Sequence, residues 1–134
     1  MHKNIEGAQS EQERWMYKRV YDLLWLLCWE RGTQTYGETD PQKAVIYLEI
    51  WNIIQPDNPY ASYALAAGYA RNGKLKGALR ALETALRNGF DNAELLEKDN
   101  AFSELRDSQE FKLIVDRLRV SKQFRPEQSF LKSI

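Results

Sequence analysis

The chain is similar to itself at an offset of 34 residues. Ala44, Leu48, Glu49, Asp57 and Asn58 return as Ala78, Leu82, Glu83, Asp91 and Asn92. A fixed period of this size marks a repeat architecture, in which each unit is one supersecondary hairpin that buries its apolar face only by stacking on its neighbours. The expected fold is therefore all-α: a short α-α superhelix of antiparallel helix pairs with a C-terminal capping helix.

Local signals divide the chain accordingly. Residues 1–9 read as a disordered lead-in. Ser10 with Glu13 forms a capping-box signature for a helix running to about Arg31. In that helix Trp15, Val20, Leu23, Leu24, Leu27 and Cys28 recur at three- and four-residue spacings, which predicts burial along one broad face. Gly32 to Thr39 reads as a break, with Gly32 and Gly37 both able to take positive φ. Asp40-Pro41 and Asn58-Pro59 each pair an N-cap with a proline at the first helical position. The first opens a helix carrying Ala44, Val45, Leu48, Trp51 and Ile54; the second opens one with Leu65, Ala66, Tyr69 and Ala70 inward. Asn72-Gly73 and Asn88-Gly89 read as stops. Between them Leu75, Ala78, Leu79, Leu82, Ala85 and Leu86 form an amphipathic helix. The small residues Ala66, Ala67, Ala78 and Ala85 predict close approach of two antiparallel backbones.

The next unit keeps the period in length but places Asp99 where Leu65 stood. A short helix over Ala93 to Lys98, a plug of Phe102 and Leu105, and a capping box at Asp107 and Glu110 are expected. Phe111, Ile114, Val115 and Leu118 then make the inner stripe of a closing helix. Residues 10–119 thus read as one helical domain, with a partial repeat at 10–58, a true repeat at 59–92 and a terminal cap at 93–119. The tail, 120–134, holds Phe124, Phe130, Leu131 and Ile134; it docks as one more helix or stays mobile.

Composition narrows function by exclusion. Nineteen Lys and Arg balance nineteen Asp and Glu, so there is no bulk field to attract polyanions and nucleic acid is not an expected partner. Arg71, Lys74, Lys76, Arg80 and Arg87 are the only candidates for a basic stripe. One Cys and one His, His2 in the lead-in, offer no zinc spacing. With no nucleophile and base pair and no glycine-rich phosphate loop, the expectation is a non-enzyme without cofactor or metal. The lone Cys28 lies in an apolar run and is expected to act as a small core hydrophobe. That run, Leu23 to Trp29, falls far short of the ~20 residues needed to span a bilayer. Met1 to Glu13 lacks a signal-peptide apolar region. A soluble, cytoplasmic protein without membrane insertion follows.

Residues 59–92 resemble the tetratricopeptide repeat family through Leu65, Ala66 and Tyr69 on the first helix, Gly73 at the turn, and Ala78, Leu82 and Ala85 on the second. Residues 44–58 match half of another repeat through Ala44, Leu48 and Pro56, and the segment from Asn88 to Phe111 looks like the degenerate terminal unit of small bacterial proteins of this family. Trp51 in place of a small residue and Phe90 in place of the usual proline depart from the pattern. The resemblance implies a concave groove lined by the first helix of each repeat, and its groove positions fall here on Tyr60, Tyr63, Ala67 and Arg71. Two rings beside an Arg suit a peptide cradle, since Tyr and Arg are enriched at binding hot spots; the alternative is that both rings fill the step to the preceding helix. Trp25 and Trp29, one turn apart, pose the same choice between groove and core. Ala64 stands where family members that clamp a C-terminal carboxylate carry Asn, which implies an apolar or aromatic anchor instead. The implied function is a protein-interaction module or scaffold that binds another protein or peptide. The alternatives are a tetratricopeptide-type secretion chaperone, a structural subunit forming a homo-oligomer through the tail, and, less favoured, an RNA-binding helical repeat.

Overall fold

The structure, a computed structural model, describes residues 10–123. The lead-in and residues 124–134, with Phe124, Phe130, Leu131 and Ile134, lie outside the described residues. Within them the chain is all-helical: α1 (Glu11–Trp29) running into a π-helical turn (Glu30–Thr35), α2 (Pro41–Ile54), α3 (Pro59–Arg71), α4 (Leu75–Arg87), a short α5 (Ala93–Lys98), a 3₁₀ turn (Asn100–Phe102) and α6 (Gln109–Gln123). Helices adjacent in sequence pack on one another from α1 to α4, and α6 packs on α4 and α5.

The helix starts follow from side-chain capping. The Ser10, Asp40, Asn58 and Asn92 side chains accept the backbone N–H groups of Glu13, Lys43, Tyr60 and Leu95, satisfying donors that an open helix end leaves without partners. Gly73 (φ 75°) and Gly89 (φ 106°) stop α3 and α4 in the left-handed region. α6 begins at Gln109, so Ser108 rather than Asp107 precedes its first residue.

Two clusters form the core. One joins Ala66, Ala70, Ala78, Leu82 and Ala85 of α3 and α4 to Phe102, Leu105, Phe111 and Leu118. The other gathers Cys28, Leu48, Trp51 and Ala61 at the junction of α1, α2 and α3. Leu48 is the pivot of this second cluster. A Cβ on Gly32 would lie 2.5 Å from its Cδ2, and a Cβ on Gly68 would lie 2.8 Å from its Cδ1. The side chain is held between two glycines on two different elements, and it cannot retreat from one without striking the other.

Two expectations are corrected here. Gly32 does not break the helix: the π-helical turn carries it on to Thr35, and neither Gly32 nor Gly37 has positive φ. Gly32 serves instead as a contact surface for Leu48. The apolar residues of α1 are not buried along one broad face either. Cys28 is buried, whereas Trp15, Val20, Leu23, Leu24 and Leu27 are exposed. For Trp15 and Val20 the cause is reach: the Tyr21 hydroxyl donates to the carbonyl of Ile54, the last residue of α2 (2.9 Å). The ten residues of α1 before Tyr21 run past the end of α2, an overhang of about 15 Å at the usual helical rise. Leu23, Leu24 and Leu27 lie beyond Tyr21, on sides of α1 turned away from Trp25, which docks it on α2.

Replacing Gly68 with Ala tests the pivot. Helix propensity favours Ala by about 1 kcal/mol, but overpacking against a trapped Leu48 costs about 1–3 kcal/mol, so the urea midpoint is expected to fall. Ala78→Leu, at a position with no exposure between α3 and α4, is expected to lower it in the same way.

Candidate functional site

α3 presents Tyr60, Tyr63, Ala64, Ala67 and Arg71 at three- and four-residue intervals, which places them along one side of the helix. Opposite stand Trp29, Gly32 and Thr33, where α1 passes into the π-helical turn, with Trp51 and Asp99 completing a concavity of about 240 Å³. That volume lies below the ~300–1,000 Å³ of small-molecule pockets, and it matches one large side chain. Of the six candidate residues, Trp29, Tyr60, Tyr63, Ala67 and Arg71 all line it. Trp25 does not: it stacks on Trp51 (6.4 Å between centroids, 19° between planes) and docks α1 on α2.

The two tyrosines differ in standing. Tyr60 is 62% exposed and meets Phe90 edge-on at 6.3 Å. Tyr63 is 8% exposed. It stacks on Phe90 at 4.6 Å, leans on Phe102 at 5.6 Å, and donates its hydroxyl to Asp99 Oδ2 at 2.6 Å. Tyr63 therefore ties the wall of the concavity to the segment that follows α4. Asp99 is held in turn: its Oδ1 accepts from the Ala101 amide, and its backbone carbonyl accepts from Arg106. Burial pushes the Tyr63 phenol well above the ordinary tyrosine range. The hydrogen bond and charge of Asp99 add to that shift, and the nearby Arg71 opposes it.

The accessible chemistry is thus an exposed indole (Trp29), an exposed phenol (Tyr60), a floor of alanines and a half-buried guanidinium. Among the described residues no carboxylate lies within ion-pair distance of Arg71. Arg71 also borders a neighbouring concavity, where Glu38 and Glu104 stand. The other basic residues gather elsewhere. Lys74, Lys76 and Arg80 surround a separate concavity of about 680 Å³ with Tyr69, and Arg87 bonds Thr84. Arg71 thus lines a different concavity from Lys74, Lys76 and Arg80.

Gly32, Thr33, Trp51 and Asp99 belong to the site but were not among the sequence candidates. Asp99 had a signal, a carboxylate at a repeat position that elsewhere holds Leu65; Gly32 had none, because a breaker and a contact glycine look alike in sequence. Among the described residues no group of three or more His, Cys, Asp and Glu side chains could hold a metal ion. Nor is any helix there long and apolar enough to cross a membrane.

A Tyr63→Phe variant keeps the stacked ring and loses the bond to Asp99, at an expected cost of about 0.5–1.5 kcal/mol in urea unfolding near neutral pH. The folded phenol holds its proton more tightly than the unfolded one. Its contribution is therefore complete below the unfolded tyrosine value of 10.0 and drains away as pH rises above it. Between the unfolded and folded values the wild type should lose up to about 1.4 kcal/mol more per pH unit than the variant. The Tyr69 phenol, also raised, chiefly by burial, leaves a residual slope in both.

Compared with known proteins, the chain matches no protein-family model, no curated protein and no solved structure.

Proposed function

We propose that the chain is a non-catalytic interaction module of the tetratricopeptide type, and that the concavity between the π-helical turn and α3 receives a side chain of a partner peptide. The observation that carries this reading is the convergence of Trp29, Tyr60, Ala67 and Arg71 on one concavity the size of a single large side chain. Support for the repeat architecture comes from the 34-residue self-similarity and from the successive packing of α1 to α4.

The ligand class follows from the lining. An apolar or aromatic side chain fills the space between the Trp29 and Tyr60 rings over the alanine floor. An acidic group next to it in the peptide meets Arg71, which gains a charge-assisted hydrogen bond at a position already partly desolvated. Ala64 supplies no amide to hold a terminal carboxylate, so an internal acidic residue serves as well as a chain end.

Selection from a random-peptide display library, followed by fluorescence anisotropy on the selected peptide, tests the proposal. The expected ligand pairs an aromatic or large aliphatic residue with Asp or Glu. Tyr60→Ala and Arg71→Ala, both on accessible side chains, are each expected to weaken it about tenfold or more, as hot-spot truncations do. Selected peptides that bind both variants as tightly as the wild type would contradict the site.

A further inference from the structure

The exposed face of α1 lies apart from this concavity. Met16, Val20, Leu23 and Leu27 follow one another at spacings of four, three and four residues, the interval of a coiled-coil seam. They are 52, 58, 63 and 44% exposed. On the helix they stand roughly opposite Trp25, the side chain that docks α1 on α2. Trp15, Leu24 and Leu26 widen the stripe and are also exposed. On α2 the exposed Ile46, Ile50 and Ile53 recur on the side away from Ala44 and Leu48, which are buried. These seven side chains of α1 together present on the order of 800 Å², of which the four-residue stripe is about half; ~800 Å² is the share that each partner contributes to a standard stable interface. A monomer's largest apolar patch is about 300–600 Å².

The chain's remaining residues do not suit this face. Residues 1–9 contain Met1 and Ile5 as their only large apolar side chains. α6, from which residues 124–134 continue, packs on α4 and α5, whereas α1 packs on α2.

We propose that α1 is a self-association helix, and that two copies of this chain pair their Met16, Val20, Leu23 and Leu27 stripes antiparallel about a two-fold axis. The stripe is self-complementary in that arrangement: Val20 meets the second copy's Leu23 and Met16 meets its Leu27, with no ionised side chain on the seam between them. The antiparallel direction follows from the overhang. It lays the unsupported first half of each α1 along the second half of the other, where α2 backs it. Arg19 flanks the seam, with its guanidinium 5.1 Å from the centre of the Trp15 ring.

Sedimentation equilibrium of the full chain at tens of micromolar tests this. The wild type is expected to show twice the chain mass, and its melting temperature is expected to rise with concentration. Leu23→Glu and, independently, Met16→Lys are expected to give the single-chain mass with wild-type far-ultraviolet circular dichroism. Met16 lies in the overhang beyond the end of α2 and is half exposed, so its replacement disturbs no helix–helix contact that the core clusters include. A wild type of single-chain mass would overturn the proposal, as would folded variants that remain dimeric. So would a dimer that dissociates when residues 124–134 are removed while both α1 variants leave it intact.

Discussion

The placement of Leu48 between Gly32 and Gly68 is the contact on which the rest of the molecule depends. One methyl faces the π-helical turn and the other faces α3, so a single side chain of α2 sets the distance between the two elements that wall the concavity. Interiors at crystal-like density transmit such constraints because they hold no slack. The glycines are required here for what they lack. A methyl at either position would occupy the space of a Leu48 carbon, and the opposing glycine leaves no second place for that side chain to go.

A second constraint fixes the other end of the same wall. Phe90, Tyr63, Phe102 and Phe111 form a run of ring contacts from the end of α4, through α3, to the start of α6. The Tyr63 to Asp99 bond closes it. Asp99 stands 34 positions after Leu65, where the sequence period would place an apolar residue, and the carboxylate there accepts the one polar atom of a stacked, buried tyrosine. Salt bridges contribute less. Arg117 to Glu83 and Arg119 to Glu97 join α6 to α4 and α5, but all four side chains are well exposed, where such pairs contribute about 0–1 kcal/mol. The terminal unit is held chiefly by its rings and by the apolar stripe Phe111, Ile114, Val115 and Leu118, all buried.

What was legible in the sequence was what chemistry decides locally. Asp40-Pro41, Asn58-Pro59, Gly73 and Gly89 mark helix ends because caps and positive φ are short-range requirements, and α5 spans Ala93–Lys98 as its pattern indicated. Tyr60, Tyr63, Ala67 and Arg71 on α3 were groove positions implied by the family resemblance rather than by spacing, and five of the six site candidates share one concavity. What was not legible depends on distance. Whether the apolar residues of α1 are covered turns on how far α2 extends and on which side of α1 it docks. Gly32 acts through a side chain sixteen positions away, and Tyr63 finds its acceptor thirty-six positions away. Periodicity assigns a residue to a face, but a partner for that face has to come from the packing of other elements.

The most direct measurement of the central contact is a methyl-resolved nuclear Overhauser spectrum with stereospecific labelling of Leu48. The account predicts that one Leu48 methyl shows strong cross-peaks to the Gly32 α-protons and the other to the Gly68 α-protons, in the same folded population. Cross-peaks from both methyls to only one glycine, or to neither, would contradict it, because the π-helical turn and α3 would then be spaced by something other than this side chain.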